Sequence, residues 1–302
     1  MSQPFTRKNK IRTARADKIY YCIVYTVVLL LLIVVLYPLI YVLSASFSSP
    51  QAVTANKVIL WPVDFSLRGY KAVFDYDSVW IGYRNTLFYT VAGTSLNLFL
   101  TMSAAYALSC KKLPGIKIFS FLFTFILIFS GGLVPTYLLM KNLGLVNTWA
   151  AMIFPHAINV TYLIIARTFL NGIPAELYEA AQIDGCSYTR YFFKIVLPLS
   201  KAIIAVLVLY YAVGHWNSYF NALIYLSNKM LFPLQLYLRE ILVMNSIDSS
   251  ALLDPEALEA MQGMQDLLKY SLIVVATVPI LCIYPFLQKY FAKGVMVGSL
   301  KG

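Results

Sequence analysis

Six stretches of this chain carry no Asp, Glu, Lys or Arg: Ile19–Asn56, Asn85–Cys110, Ile118–Met140, Asn142–Ala166, Ala202–Asn228 and Tyr270–Gln288. Each is long enough to cross a bilayer, because about 20 residues at 1.5 Å rise span the hydrocarbon. A backbone in lipid finds no water to bond with, so such segments must satisfy their own amides as helices. Composition points the same way. Of 302 residues, 60% are hydrophobic and only 12% charged, against roughly 25% charged in a soluble domain. The mean hydropathy is +0.72. The expected fold is an all-α integral membrane protein with six transmembrane helices.

The net charge of +11 does not indicate nucleic acid once its distribution is read. With the N-terminus on the cytoplasmic side, inner segments hold 16 of the 24 Lys and Arg: six before the first helix, three at Lys111, Lys112 and Lys117, four from Arg167 to Lys201, and three after Gln288. Outer segments hold the other eight. This bias obeys the positive-inside rule and predicts a multi-pass protein with both termini in the cytoplasm. The first apolar core, Ile19–Leu43, is too long for a signal-peptide h-region and reads as a retained anchor. Cys22, Cys110, Cys186 and Cys282 fall on the reducing side with no Cys-x-x-Cys or Cys/His spacing, so neither disulfides nor a metal site is expected.

The organisation is a basic cytoplasmic N-terminus (1–18), a first transmembrane helix (19–46) ending near Pro38–Tyr41, and a core (80–290) with an inner loop at 172–200. A cytoplasmic tail (291–302) follows. Trp61 and Trp80 read as interfacial anchors in a long outer loop. Helix two is expected from Asn85–Thr86, and Gly131, Gly132 and Pro135 should break or kink helix three. A second outer segment, Asn228 to Asp266, is acidic, and its Asp254-Pro255-Glu256 is a helix start.

The inner loop is the most informative polar passage. Asn171-Gly172 turns the chain, Pro174 opens a short helix, and Glu176 and Glu179 complement its positive end. Leu177, Ala180, Ala181 and Asp184 fall at i, i+3, i+4 and i+7 and are expected on one face. Gly185 is placed to end the helix in a left-handed conformation. Ser187 can cap a second helix, Tyr188–Val196, which Pro198 should limit. An amphipathic connector between two membrane helices would fit the same residues.

Glu179-Ala180-Ala181, three residues, Gly185, nine residues, then Ile195-x-Leu197-Pro198 resembles the EAA loop of ATP-binding-cassette (ABC) importer permeases. The resemblance covers roughly 80–290. The wider context Leu177–Gly185, with Lys289-Tyr290-Phe291-x-Lys293-Gly294 and Gly298–Gly302, is similar to the carbohydrate branch, including maltose-type second permeases and those of complex-oligosaccharide importers. Lys201 departs from the pattern, where many relatives carry a second proline. The resemblance implies a type I importer permease fold with the loop as a coupling helix docked on a separate ATPase. It assigns that role to Glu179, Ala180, Ala181, Asp184 and Gly185. Also implied are a second homologous permease, a pair of identical ATPase subunits, an extracytoplasmic solute-binding protein, and an oligosaccharide crossing the lipid membrane. The acidic outer segment is then expected to touch the binding protein. No Gly-x-x-x-x-Gly-Lys-Ser/Thr phosphate loop occurs in this chain, so no cofactor is expected in it; ATP-Mg would belong to the partner. An amino acid, a peptide or another small solute is the alternative cargo.

His156 and His215 lie within apolar spans without charged companions, which favours helix–helix hydrogen bonding over a proton relay and disfavours an ion-coupled carrier. Trp216, Asn217, Tyr219 and Asn221 form an aromatic–amide cluster able to stack on a sugar, and equally able to anchor at the interface. No nucleophile–base or paired-carboxylate arrangement suggests an enzyme.

Overall fold

The computed structural model describes residues 15–110, 113–244 and 255–299, and all their regular structure is helical. Helix α1 (Arg15–Ser46) leads through two short helices, α2 (Pro50–Thr54) and α3 (Arg68–Asp75), to α4 (Asp77–Ser109). Three bent pairs follow. The first is α5 (Ile116–Ile128) and α6 (Leu133–Asn142), at 118°. The second is α7 (Ala150–Ile153), extended by a 3-10 turn to His156, against α8 (Val160–Leu170), at 53°. Next comes α9 (Ala175–Ile183), then α10 (Tyr188–Tyr191), a π-turn (Phe192–Val196) and α11 (Leu197–Leu199), which meet α12 (Lys201–Trp216) at 82°. The short α13 (Phe220–Tyr225), α14 (Leu234–Met244) and the long α15 (Pro255–Ser299) complete the chain. Helices α1, α4 and α15 each contain an unbroken stretch apolar and long enough to cross a membrane; the bent pairs reach that length only when both halves are counted.

Several boundaries differ from those expected. Helix α1 runs on through Pro38 rather than ending near Pro38–Tyr41, and in its last turn Ala45 and Ser46 become buried against the rest of the fold. Helix α4 starts at Asp77, eight residues before Asn85, because Val79 and Gly82 in these extra turns pack against Leu234 of α14 rather than lie in a loop. The last span and the end of the acidic outer segment are one helix, 45 residues from Pro255. Asp254 and residues 245–253 lie outside the described residues. The expected break in helix three falls at the glycines, with Gly132 at φ +84°, and Pro135 sits harmlessly in the first turn of α6.

The helix α4 is the spine of the bundle. Asn85, Tyr89, Gly93, Asn97 and Thr101 recur every four residues and so lie along one stripe, with Thr86 beside it. Its polar members hold three neighbours: the 230–234 segment, the turn at His156, and α12. The Asn85 amide donates to the carbonyls of Met230 (2.8 Å) and Phe232 (3.0 Å), and the Tyr89 hydroxyl to that of Leu231 (2.8 Å). Thr86 accepts from the Leu234 N–H at 2.8 Å. Asn97 donates to the His156 carbonyl at 2.7 Å, and its carbonyl oxygen lies 3.2 Å from His215 Nε2. Thr101 pairs with the Tyr211 hydroxyl at 2.7 Å. Lipid supplies little hydrophobic drive for helices to associate, so such bonds matter, at about 0.6 kcal/mol each and up to about 1.7. Gly93 completes the stripe by absence, since a Cβ there would overlap the His215 ring.

The far end of α1 is knitted to the outer loop. Ser44 donates to the Leu60 carbonyl (2.6 Å), Ser48 accepts from the Val63 N–H (3.1 Å), and Ser46 pairs with Tyr70 (2.8 Å). The loop is therefore an ordered platform, from which Trp61 projects 81% exposed. The rest of α1 touches little of its own chain. Every residue from Val27 to Val35 is at least half exposed, leaving an apolar surface for lipid or another subunit.

Candidate functional site

The segment from Pro174 to Leu199 is shaped by short-range bonds. Pro174 is the N-cap of α9 and Glu176 occupies its first turn. At the other end Gly185 adopts φ +69°, its N–H bonding to the Gln182 carbonyl (3.0 Å) while the Cys186 N–H reaches that of Ala181 (2.8 Å). That is a Schellman closure, and the glycine supplies the left-handed residue it needs. Ser187 then caps α10, accepting from the Arg190 N–H at 3.3 Å. The second helix does not stop before Pro198. It widens into the π-turn and continues to Leu199, breaking at Ser200. A proline cannot donate to the carbonyl four residues back and its ring crowds that carbonyl, and the wider turn just before it relieves both constraints.

Ala181 is not on the open face. It is 7% exposed and packs with Met102, Leu163, Phe192 and Leu207 in the cluster that joins α4, α8 and α12. At 100° per residue, the direction opposite Ala181 and the half-buried Tyr178 runs through Glu176, Glu179, Ala180 and Ile183, all exposed. Ile183 is 87% exposed, more than any other large apolar side chain on this loop. Leu177 and Asp184 lie on the flank and are exposed as well. The loop is thus a short helix with one face locked into the bundle and an opposite face of two carboxylates and one isoleucine. Behind it a cavity of about 430 Å³ opens among Tyr106, Cys110, Tyr178, Glu179 and Tyr188. Tyr178 accepts from Gln182 Nε2 at 2.6 Å, and hydrogen bonding to Tyr188 pushes its phenol up to about 12, so it stays neutral.

A second cavity, of about 200 Å³, lies where the α7–α8 pair breaks, against the last turns of α12. Asn97 and His215 form its floor, and His156, Asn159, Tyr162 and Asn221 line its sides. Asn159 caps α8, accepting from the Tyr162 N–H at 3.2 Å, and its own N–H donates to the Tyr211 hydroxyl at 3.2 Å. Tyr162 stacks on Tyr210 (5.2 Å between centroids) and stands edge-on to Tyr211 (5.0 Å). Among the described residues no Asp, Glu, Lys or Arg lines it.

Residues 8–297 match the model of the binding-protein-dependent transport system inner membrane component. The chain belongs to that family. The polygalacturonan/rhamnogalacturonan transport system permease protein YtcP of Bacillus subtilis is 40% identical over 286 residues, covering 95% of this chain and 99% of that one. The arabinooligosaccharides transport system permease protein AraQ of Halalkalibacterium halodurans is 28% identical, covering 89% and 92%. In the crystal structure of a bacterial ABC transporter that imports the acidic polysaccharide alginate, one chain superposes with a TM-score of 0.85 at 32% identity. That match covers 93% of this chain and 99% of that chain. The molecule is therefore an importer permease of the inner membrane, a transport subunit and not an enzyme. Permeases of this family work with a partner permease, an ATPase and a binding protein.

Within this permease the aromatic–amide cluster does not act as one surface. Trp216 is 5% exposed and donates to the Ala276 carbonyl at 3.0 Å, fastening α12 to α15. Asn217 donates to its own helix at the Val213 carbonyl (3.0 Å), and Tyr219 is exposed beside Phe220. Of the four residues proposed from sequence, Asn221 lines the small cavity. His156, Asn159 and Tyr162 come from another pair of helices, and no local pattern could have grouped them with it.

Proposed function

We propose that this permease moves oligosaccharides inward through a path shared with a second, homologous permease. Two identical ATPase subunits supply the energy, and an extracytoplasmic binding protein delivers the cargo. The observation that carries the reading is the end-to-end 40% identity with a polygalacturonan/rhamnogalacturonan permease. The alginate importer chain supports it at 32% identity. Glu176, Glu179, Ala180 and Ile183 meet a groove of the ATPase on the cytoplasmic side, and Gly185 holds the helix in the shape that fits. ATP-Mg is bound by that partner, since this chain has no phosphate loop. Closure of the ATPase pair displaces α9, and Ala181 hands the displacement to α4, α8 and α12 through their common core.

Two measurements test this. The permease co-expressed with its partners, in liposomes, should take up oligosaccharide only with ATP inside and the loaded binding protein outside. Uptake driven by a proton gradient without ATPase would overturn it. Ser187→Cys, made in a background with the four native cysteines replaced, should react with an impermeant thiol reagent only from the cytoplasmic side. Asp64→Cys should react only from the other side. The opposite pattern would put the ATPase site on the wrong face.

A further inference from the structure

We infer that the small cavity is a sugar subsite held by this chain itself, which takes one uncharged sugar unit of the passing cargo. The inference rests on the oligosaccharide reading above and deepens it. Floor and rim of the cavity differ in a way that packing alone does not require. On the floor, Asn97, His215 and Tyr211 use their polar atoms on one another, on Thr101 and on the backbone of His156 and Asn159. Their positions are fixed. At the rim the Tyr162 hydroxyl, the His156 ring, the Ser218 hydroxyl and the Asn221 amide line the cavity and make no hydrogen bond within the described chain. The His156 ring is exposed and the other three are half-buried, so each faces the open space of the cavity and not a partner on its own chain. Four together, facing one space, are donors and acceptors held for a ligand.

The chemistry selects the ligand. All four groups are amide, hydroxyl or imidazole, the wall is a fixed pair of stacked tyrosines, and among the described residues no lysine or arginine lines the cavity to meet a carboxylate. Hydroxyl groups on a ring can exchange water for these partners. An ionised carboxylate would be desolvated without a counter-charge, which is far more costly than burying a hydroxyl. The volume of about 200 Å³ lies below the roughly 300–1,000 Å³ of sites for drug-sized ligands, so the cavity takes one unit at a time.

The experiment uses the complete transporter in liposomes, with uptake of a neutral galacto-oligosaccharide and of an oligogalacturonide of equal length measured side by side. Asn221→Ala, Ser218→Ala and the conservative Tyr162→Phe should each slow neutral uptake roughly three- to tenfold, the usual range for one lost hydrogen bond. Cargo affinity of the binding protein, complex yield and basal ATP hydrolysis should stay unchanged. Asn221→Lys should raise the uronide-to-neutral ratio. Wild-type neutral uptake in all three conservative variants overturns the subsite alone. An equal loss of uronide uptake overturns the uncharged unit. If the wild-type transporter imports neither sugar, the oligosaccharide reading fails first and the subsite with it.

Discussion

The Pro174–Leu199 loop and the small cavity border the same α4–α8–α12 core, and they are built in opposite ways. Bonds that shape the loop close over a few residues, such as Cys186 to Ala181 and Arg190 to Ser187. Those that shape the cavity join residues 59, 118 and 110 positions apart, in the pairs Asn97–His156, Asn97–His215 and Thr101–Tyr211. A locally closed piece keeps its shape when pushed. A site assembled from distant helices changes shape when those helices tilt. In the mechanism proposed above the loop is a rigid handle and the cavity the chamber it opens, joined by Ala181 and its neighbours.

If the handle is rigid and works through its outward face, disrupting that face should have the largest effect. Glu179→Lys combined with Ile183→Asp places a wrong charge and a polar group on a surface that the bundle does not use. ATPase co-purification and ATP-driven uptake should both be lost, while membrane insertion and thermal stability in detergent remain at wild-type level. Retained ATPase binding would mean that the loop is only a connector. Gly185→Val should come next. A non-glycine residue in the left-handed region costs about 1–2 kcal/mol, and a β-branched one more, so uptake should fall about tenfold or further. Gly185→Asn, which tolerates that conformation better, should recover much of the loss.

That contrast also sets what a sequence can disclose. Glu179-Ala180-Ala181, Gly185 and Ser187 are legible because their structural reasons are local: a dipole, a left-handed closure and a cap. The inward turn of Ala181 was not legible, because it depends on where α4 and α8 stand relative to the loop. The same holds for Trp216, whose indole partner is a carbonyl 60 residues away. The uncharged segments disclosed the membrane, but not the breaks within them. The bends near Gly132, Asn159 and Ser200 answer to packing as much as to any residue type, and only the glycine pair announced itself. The start of α4 was missed for a related reason: its first turns, with Asp77, Ser78 and Arg84, read as loop until α14 was there for Val79 and Gly82 to pack against.

Gly93 tests the chamber rather than the handle. Gly93→Ala places a methyl against the His215 ring and forces α4 and α12 apart. Overpacking of this kind costs about 1–3 kcal/mol, visible as a lower unfolding temperature in detergent. ATPase association should survive, because α9 is untouched. If association is lost together with stability, handle and chamber are one cooperative unit and the division drawn here is wrong.

The smallest effect should come from Thr101→Val, which keeps the shape of the side chain and removes a single hydroxyl. That hydroxyl bonds Tyr211 at 2.7 Å across the α4–α12 contact. Tyr211 keeps its other partner, the Asn159 N–H at 3.2 Å, so no phenol is left wholly unpaired. An average interhelical hydrogen bond in a membrane is worth about 0.6 kcal/mol, and the variant should lose roughly that in a denaturation experiment. Uptake discriminates further. If the α4–α12 contact stays closed through the transport cycle, the rate should follow stability and hardly change. If that contact parts when the cavity opens, the missing bond lowers the cost of opening, and ATP-driven uptake should rise while stability falls.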